Sequence, residues 1–468
     1  MHYEKFADGS VKCIEEEIPF ELPKGWAWAR LGSVAEAIGD GDHQPPPQTS
    51  SGIPFLVISN ISGGALSFEN TRFVSIEYFN RLPETRKPRN GDLLFTVTGS
   101  YGIPVLVNTD DMFCFQRHIA IVRPSTISNR YLYVILGSSY VKSICDAKAT
   151  GTAQKTVGLA TLRELLIPIA PHTEQMQICA KTQNALSIVD SISSDKEALL
   201  NIIKNTKAKI LDLAIRGKLV PQNPDDEPAS VLLERIRAEK EELIKQGKLK
   251  RDKRESVIFK GEDNSYYEKM GSEVRCIDEE IPLDIPDTWE WIRLENCCSK
   301  EIRRGKSPKY IDKSGTLVFA QKCNTKYNGI DIGLALNLDE GTLGRYSTNE
   351  YMQDGDIVVN STGTGTLGRV GFYRISDNHS GLPIVPDSHI TIIRGFSYIQ
   401  SFYLYTFIKA NQGVLEKKGE GSTNQKELKP LTLKEMLVPL PPISEQKRIE
   451  TAVSAAFSLI TSIERGLS

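Results

Sequence analysis

The chain has 468 residues and a formal net charge of −2, with 40% hydrophobic and 8% aromatic residues. This composition is typical of globular domains and the length allows two or three of them, while the near-neutral charge gives no overall electrostatic argument for binding nucleic acid. No cationic segment followed by an apolar run lies at the N-terminus and no apolar run reaches membrane-spanning length, so we expect a cytoplasmic protein without a signal peptide or membrane span.

Two copies of one unit follow each other along the chain. The first copy reads VKCIEEEIP at 11–19, and the second reads VRCIDEEIP at 274–282. Each continues into the pattern Pro-x-x-Trp-x-Trp-x-Arg-Leu, at 23–31 and 286–294. A repeat of this length predicts a duplicated domain, and the paired tryptophans fit packing within it.

Each copy mixes short β-branched runs with helical segments. In the first copy, the runs at 54–59, 92–97 and 119–122 are bounded by Gly, Asn or Pro and predict strands. The segments 130–146 and 399–418, one in each copy, have helical patterns. We therefore expect α+β domains.

Small polar loops occur at corresponding places in the two copies and are the candidate binding segments. Glycine-rich loops at 99–102 and 363–369 would let backbone amides approach a phosphate, and hydroxyl, amide and ammonium groups come together at 150–155 and 421–426. Hydroxyl and Lys groups suit phosphates, whereas Gln, Asn and Arg can pair with base edges. Surface turns without a binding role remain the alternative. The candidate DNA-contacting residues are Gly41, His43, Ser100, Tyr101, Thr152, Gln154, Lys155, Arg303, Arg304, Lys306, Thr364, Thr366, Arg369, Thr423, Asn424, Gln425 and Lys426.

Each copy is followed by a helix with a narrow apolar seam. Along 173–220 and 445–468 the seam positions step alternately by three and four residues, which is the coiled-coil pattern. A pseudo-twofold relation between the copies predicts that the two seams pair in an antiparallel coiled coil. The seam residues are Val189, Ile192, Leu199, Ile203, Ile210, Val453, Ile460 and Ile463.

A turn-rich break at 221–228 precedes an amphipathic helix that runs from Ala229 to about Leu249 and ends in a basic run at 245–254. This segment is interpreted as a linker with an interaction surface. Further basic patches lie at 81–89 and 300–309, and any one of them is more often a solvated surface than a phosphate contact.

The sequence contains no recognisable catalytic or metal-binding motif. The glycine-rich stretch at 363–368 continues into Arg369 where a phosphate-binding loop needs Lys. The 6 His have no metal-ligand spacing, the 8 Cys include no C-x-x-C, and no Asn-Pro-Pro-Tyr of an amino-methyltransferase occurs. We therefore expect no catalytic residue, bound metal or cofactor, and interpret His118 and His389 as packed structural residues.

The chain resembles the specificity subunits of type I restriction-modification systems. The resemblance rests on the Trp-containing pattern that opens each copy, the Pro-x-x-Glu-Gln-x-x-Ile pattern that closes each at 171–178 and 442–449, and the segments 214–222 and 228–240. It implies two target-recognition domains that each read half of a split, asymmetric double-stranded DNA site. It also implies two methyltransferase subunits and restriction subunits as partners, with S-adenosylmethionine, ATP and Mg bound by those subunits.

The combined pattern predicts five regions: recognition domain 1 at 1–172, a central coiled-coil helix at 173–220, a linker at 221–263, recognition domain 2 at 264–443 and a C-terminal helix at 444–468. Two alternatives remain. One is the corresponding subunit of a related system whose nuclease is fused to the methyltransferase, and the other is a coiled-coil scaffold with duplicated modules that do not bind DNA.

Overall fold

The computed structural model describes residues 1–42, 44, 46–152, 154–249, 251, 255–326, 329–363, 365–420 and 426–467. It divides into two compact units, 1–194 and 195–468, and the boundary falls inside a long helix. Each unit mixes strands with helices, so the predicted α+β class is confirmed.

Within its described residues, the first unit contains eleven strands and six α-helices, the last of which it shares with the second unit. The strands are β1 (Tyr3–Lys5), β2 (Val11–Cys13), β3 (Ala27–Arg30), β4 (Ala35–Asp40), β5 (Ile53–Leu56), β6 (Arg72–Val74), β7 (Leu93–Thr96), β8 (Pro104–Leu106), β9 (Cys114–Phe115), β10 (Ile119–Pro124) and β11 (Leu166–Ile169). The helices are α1 (Leu31–Val34), α2 (Ile76–Arg81), α3 (Asn129–Leu136), α4 (Ser139–Lys148), α5 (Leu159–Glu164) and α6 (His172–Ile215).

The second unit contains strands that correspond to most of those in the first, together with additional elements at its start. Its strands are β12 (Ser256–Lys260), β13 (Tyr266–Met270), β14 (Glu273–Cys276), β15 (Glu290–Arg293), β16 (Tyr310–Ile311), β17 (Leu317–Phe319), β18 (Leu336–Leu338), β19 (Ile357–Asn360), β20 (Val370–Phe372), β21 (Ile384–Pro386), β22 (Ile390–Ile393) and β23 (Leu437–Leu440). The helices are α7 (Ala229–Lys245), α8 (Ser401–Ala410), α9 (Gln412–Lys417), α10 (Pro430–Lys434) and α11 (Ile443–Leu467).

The sheets confirm that the two copies share one topology. The central antiparallel sheet has the order β4-β10-β7-β8 in the first unit and β20-β19-β22 in the second. Beside it, each unit has a second sheet with one parallel pair, β5 with β9 and β17 with β21. Fully buried aliphatic side chains of β7, β10, β19 and β22 form the cores, as expected for central strands.

The opening and closing motifs of each copy meet in a two-stranded sheet. Strand β3 pairs with β11, so that Arg30 lies opposite Leu166, and β15 pairs with β23 in the same register, so that Arg293 lies opposite Leu437. This pairing explains why residues so far apart in the sequence recur together in both copies.

In each unit, a hydrogen bond from a tryptophan indole to a glutamate carboxylate stabilises this association of the opening and closing motifs. Trp26 Nε1 donates to Glu174 Oε2 at 2.8 Å, and Trp289 Nε1 donates to Glu445 Oε2 at 2.9 Å. Both glutamates lie in the first turn of the helix that follows the closing strand, where the helix dipole favours a negative charge. Burial raises the pKa of Glu445, while its hydrogen bonds from Trp289 and Gln222 act in the opposite direction.

A buried ion pair holds the turn that enters the central sheet. Arg123 binds both carboxylate oxygens of Asp92 at 2.8 and 2.9 Å, and Arg394 binds Asp356 at 2.6 and 2.7 Å. Each aspartate also accepts a hydrogen bond from the backbone N–H of the residue three positions earlier, and this bond closes the turn. Removing either arginine would leave a buried carboxylate without its partner, which is strongly destabilising.

Two segments predicted as single helices are each broken into two. The segment 130–146 forms α3 and α4, because Gly137 ends the first helix and the Ser138 hydroxyl accepts the Val141 amide at the start of the second. The segment 399–418 forms α8 and α9, with Asn411 at the junction. Continuous apolar spacing did not reveal these breaks.

Helices α6 and α11 pair in an antiparallel direction within the second unit. Lys207 contacts Glu464 at 2.6 Å, whereas Gln222, beyond the end of α6, donates to Glu445 at the start of α11. Three predicted seam residues are buried, namely Ile203, Val453 and Ile460, and Ile210 is partly buried.

The predicted seam is not buried along its whole length. Val189, Ile192 and Ile463 are more than half exposed and Leu199 is exposed as well, so the prediction of buried seam positions is wrong for these four residues. Within the second unit, the register set by Lys207 and Glu464 brings the last turns of α11 near Ile203, so Leu199 lies past the paired stretch. Heptad spacing identifies the apolar face of a helix but not the length over which another helix covers it.

The segment 221–263, predicted as a linker, packs against the second unit. Leu232, Leu233 and Ile236 of α7 are buried in one cluster with Trp289 and Ile292 of the opening motif. The segment is therefore part of the structural frame of that unit.

Among the described residues, no helix combines the length and apolar character needed to cross a bilayer. In the same ranges, no group of His, Cys, Asp and Glu has an arrangement that could hold a metal ion.

The pairing of α6 with α11 predicts different costs for two equivalent truncations. Ile460→Ala removes a buried side chain of α11 one turn from Glu464, within the paired stretch, and should lower the free energy of unfolding by about 2 kcal/mol. Ile463→Ala, on the same helix but half exposed, should change it by less than about 0.5 kcal/mol. Chemical denaturation of the full chain measures both, and equal effects would contradict the observed pairing.

Glu268 gives a prediction that depends on pH. Burial acts to raise the pKa of this carboxyl, but hydrogen bonds from Arg293, Ser256 and Arg275 outweigh it, and the pKa falls from 4.5 to about 2. The carboxylate therefore stabilises the fold above pH 4.5, by about 3 kcal/mol, and this contribution is lost as the pH falls toward 2.

Glu268→Gln should consequently lower the melting temperature at pH 7 and flatten the acid side of the stability profile. The matched control is Glu4→Gln in the first unit, where the equivalent carboxylate binds Arg30 but is more exposed. Its effect on the melting temperature should be clearly smaller. A Glu268→Gln profile parallel to that of the unmodified chain between pH 5 and pH 2 would refute this assignment.

Candidate nucleic-acid interface

Polar loops lie together at one end of the central sheet in each unit, and in the second unit only Lys426 of the predicted loop 421–426 lies within the described residues. In the second unit, the loop at 361–369 follows β19, Ser361 N donates to His389 O just before β22, and Leu428 N donates to Ser361 O. In the first unit, Val97 N donates to His118 O and Gly99 N donates to Lys155 O. We call these two regions the loop edges of the units.

A further loop reaches the same edge, around Gly41 in the first unit and around Gly305 in the second. In each case the glycine lies close to another stretch of the same unit's backbone. Gly41 N donates to Ile119 O, and Gly305 N donates to Ile390 O. A Cβ at Gly41 would lie 2.0 Å from Phe115 O, and a Cβ at Gly305 would lie 2.3 Å from Asp387 O. Any larger residue would therefore push this loop away from the sheet.

In the first unit, the two polar loops are joined by hydroxyl and backbone contacts. Thr98 Oγ1 lies 3.2 Å from Thr156 Oγ1, and the loop that ends at Thr156 exposes the side chains of Thr152, Gln154 and Lys155. Hydroxyl, amide and ammonium groups are thus presented to solvent together, as predicted. These groups have the chemistry for phosphate and base-edge contacts.

Tyr101 is held by its neighbours. Its hydroxyl donates to Asp146 Oδ1 at 2.9 Å, and the Lys142 ammonium lies 4.1 Å from the centre of its ring. The hydrogen bond to Asp146 is the main reason that the pKa of Tyr101 is raised. The ring is therefore fixed beside the exposed Ser100.

In the second unit, a chain of polar side chains spans the loop edge. Gln321 Nε2 donates to Thr362 Oγ1 at 2.6 Å, and Thr362 Oγ1 lies 2.7 Å from His389 Nδ1. His389 is exposed here, although it was predicted to be a packed structural residue, whereas His118 is partly buried with a pKa lowered by burial and by Arg117.

Gln321 was missed by sequence reasoning. It approaches Gly363 in the second unit, and the equivalent neighbour of Gly99 in the first unit is Ile58. The only sequence signal was its position directly after the apolar run of β17. The two loop edges therefore share a backbone but differ in the side chains that support them.

The basic residues at 303–306 are paired inside the second unit. Glu350, only 5% exposed, binds Arg303 and lies 3.5 Å from Lys306 Nζ. Arg304 contacts Glu427 Oε1 at 3.0 Å, which ties this loop to the segment before α10. Much of the positive charge predicted here for phosphate contact is therefore balanced by carboxylates.

Arg369 supports its own loop. Its guanidinium donates to Asn324 O at 2.7 Å and to Gly365 O at 3.1 Å, and Thr366 Oγ1 donates to Thr362 O at 3.1 Å. Lys426 is exposed at the edge of the described chain. The remaining predicted contacts, His43, Thr364, Thr423, Asn424 and Gln425, lie outside the described residues.

The sequences of the two duplicated units match a known family. The family described as the type I restriction modification DNA specificity domain matches residues 23–201 and 286–468, one match for each copy. The chain belongs to this family. The resemblance read from the opening and closing motifs is thereby confirmed.

Two curated relatives illustrate the sequence similarity. The type I restriction enzyme EcoAI specificity subunit of Escherichia coli is 28% identical over 333 residues, which cover 60% of this chain and 52% of the relative. The type I restriction enzyme MjaVIII specificity subunit of Methanocaldococcus jannaschii is 23% identical over 210 residues, covering 43% and 48%. The chain thus spans about half the length of the curated relatives that it matches.

Two solved structures share the specificity-subunit fold over most of the chain. A chain from a study of complex assembly and conformational transition of the type I R-M system has a TM-score of 0.62 with 18% identity, covering 96% of this chain and 94% of that one. The HsdS subunit of Thermoanaerobacter tengcongensis has a TM-score of 0.50 with 17% identity, covering 96% and 93%. These similarities confirm the predicted architecture of the family.

The close approach of Gly305 predicts the effect of a single methyl group. Gly305→Ala should destabilise the second unit by about 1–3 kcal/mol, because the new Cβ meets two carbonyl oxygens within 2.4 Å. Gly344→Ala is the matched control, since a Cβ there meets nothing within 4 Å. Thermal unfolding measures both variants, and equal melting temperatures would contradict the described position of this loop.

Proposed function

We propose that this chain is the DNA sequence-specificity subunit of a type I restriction-modification complex. Each unit recognises one half of a bipartite, asymmetric site in double-stranded DNA through its loop edge. The observation that carries the proposal is that the described parts of the loop edges share their backbone contacts in the two units but differ in their side chains. One backbone frame with two sets of side chains is suited to reading two different half-sites.

The exposed groups of the loop edges have the required chemistry. Lys155 and Lys426 are exposed cations at corresponding positions and are suited to phosphate contact. Gln154, Thr152 and Ser100 supply donors and acceptors for base edges or phosphates. Contacts to phosphates position the protein on the duplex, whereas the amide and hydroxyl groups that differ between the units discriminate the sequence.

The chemistry of the complex is assigned to its other subunits. Two methyltransferase subunits bind S-adenosylmethionine and methylate adenine, and restriction subunits supply ATP- and Mg-dependent cleavage. This chain contributes no catalytic group and directs both reactions to the site. The relatives named as specificity subunits of type I restriction enzymes support this division.

The two exposed lysines test the proposal. Lys155→Ala and Lys426→Ala should each weaken binding to duplex DNA by a similar factor for all sequences and reduce the slope of log K against log salt by about 0.9. The control is Lys209→Ala, an exposed lysine of α6 that pairs with Asp212. Fluorescence anisotropy at several salt concentrations, on the chain co-purified with its methyltransferase subunit, measures these quantities. DNA affinity that is absent, or that does not depend on salt, would favour a scaffold without DNA-binding function.

A further inference from the structure

A histidine at the loop edge of the second unit is held through its backbone and through its ring. His389 N donates to Asp387 Oδ1 at 2.8 Å, and His389 O accepts a hydrogen bond from Ser361 N at 2.8 Å. The ring Nδ1 lies 2.7 Å from Thr362 Oγ1. The side chain is nevertheless exposed, and its Nε2 has no hydrogen-bond partner among the described residues. A ring fixed in this way presents one free nitrogen in a defined direction.

The two residues that hold the backbone of His389 are themselves buried. Asp387 is 2% exposed and directly follows β21. Ser361 directly follows β19, is fully buried, and has its Oγ 2.6 Å from Thr391 Oγ1 of β22. The histidine is therefore attached to the ends of sheet strands and not to a free loop.

The hydrogen bond between Thr362 and His389 is given a direction by Gln321. Gln321 Nε2 lies 3.0 Å from Thr362 O and 2.6 Å from Thr362 Oγ1. A carbonyl oxygen can only accept, so it is the amide nitrogen of Gln321 that faces Thr362 and donates to its hydroxyl. The hydroxyl proton is then available to His389 Nδ1. Because Nδ1 accepts this proton's hydrogen bond, the neutral ring carries its own proton on Nε2, and the exposed nitrogen is a donor.

Gln321 is placed for this contact by the surrounding backbone. It begins the 3-10 helix that follows β17, and its carbonyl accepts a hydrogen bond from Nδ2 of the fully buried Asn360 at 3.3 Å. Its amide passes close to Gly363, where a Cβ would lie 2.8 Å from Gln321 Oε1. Gly363 also has a φ of +100°, which glycine adopts without strain. The glycine therefore leaves room for the amide to reach Thr362.

The first unit has the equivalent histidine, His118, without this chain of hydrogen bonds. The equivalent threonine, Thr98, has its Oγ1 3.2 Å from Thr156 Oγ1. Ile58 lies beside the glycine of the loop where the second unit has Gln321, and an isoleucine side chain cannot donate a hydrogen bond. Within the described residues, the chain from amide to hydroxyl to imidazole occurs only in the second unit.

We propose that His389 is a specificity-determining residue whose Nε2–H donates to a guanine in the major groove of the half-site that the second unit reads. Gln321 and Thr362 are positioning residues that keep the proton on Nε2. This inference rests on the DNA-binding function proposed above. Guanine presents two acceptors, N7 and O6, on its major-groove edge, adenine and thymine present one each, and cytosine presents a donor. A single fixed donor therefore favours guanine most and cytosine least.

The contact is assigned to a base edge and not to a phosphate because of charge and rigidity. Affinity for the phosphate backbone comes mainly from cations, and Lys426 is an exposed cation at the same loop edge. The ring of His389 is neutral when its Nδ1 accepts from Thr362. A neutral donor with a fixed direction adds little affinity for all sequences but distinguishes one base edge from another.

The experiment maps N6-methyladenine in host DNA for the chain co-expressed with the methyltransferase subunit proposed as its partner. The variants are His389→Ala, Thr362→Val, which removes the hydroxyl, and Thr362→Ser, which keeps it. The control is His379→Ala, an exposed histidine of the same unit between β20 and β21. Methylation rates are then measured on duplexes that differ at single positions of the mapped motif, and melting temperatures establish that each variant is folded.

His389→Ala should lower the preference for guanine over cytosine by about tenfold at one position in one half of the motif, because one base contact is lost. Thr362→Val should lower the preference at the same position, since the ring loses the group that orients it. Thr362→Ser should retain the preference, and His379→Ala should leave the whole motif unchanged.

A preference that is unchanged in His389→Ala overturns the inference, while a bipartite motif still supports the function proposed above. Weaker methylation of all sequences, together with a smaller salt dependence of DNA binding, identifies a phosphate contact and also overturns it. If His389→Ala does not fold, Thr362→Val and Thr362→Ser decide by the same criterion. The absence of any bipartite motif with the unmodified chain overturns the proposed function and this inference with it.

Discussion

The antiparallel pairing of the opening strand with the closing strand is the constraint on which each unit depends. It joins β3 with β11 and β15 with β23, strands that lie at opposite ends of a long stretch of sequence. The indole of Trp26 or Trp289 binds the first-turn glutamate of the next helix, so the helix is anchored to the strand that opens the unit. Everything between the two motifs can differ in length and side chains without breaking this closure.

The loop edge depends on two further features of each unit. The buried pair of Asp92 with Arg123, or Asp356 with Arg394, fixes the turn that enters the central sheet. Gly41 and Gly305 have no side chain, so the loop around each can lie directly against the backbone of Phe115 or Asp387. Because backbone contacts hold the loops, their side chains are free to differ, and the change from Ile58 to Gln321 is one such difference.

The opening motif is buried by additional elements in the second unit but not in the first. In the second unit, α7 and β12 bury it, and the carboxylate of Glu268 becomes nearly inaccessible. In the first unit the same residues make the same internal contacts but stay open to solvent. The comparison of two copies in one chain thus separates the contacts that build the unit from those that cover it.

The duplication and the strands at 92–97 and 119–122 could be predicted from the sequence, because each rests on a local pattern or on the repeat. The predicted strand at 54–59 ends at Leu56, since Ile58–Asn60 form a 3-10 helix. The pairing of Arg303 with Glu350 could not, since the two residues are distant in sequence and no periodicity connects them. Exposure of Val189 and Ile192 was also unpredictable, because spacing identifies an apolar face without identifying its partner. The apolar face of α7, with Leu232 and Ile236, was predicted from its spacing, but the surface of the second unit that covers it was not, because spacing does not identify a partner.

The central claim is that each loop edge reads one half of a bipartite site. Its most direct test replaces the loops at 303–306 and 361–369 with the equivalent loops of the first unit and expresses the chain with the methyltransferase subunit proposed as its partner. Mapping N6-methyladenine across the host DNA then identifies the recognised sequence. We expect one half of a split motif to change while the other half stays the same. A motif that changes in both halves, or methylation without any bipartite motif, would contradict the account.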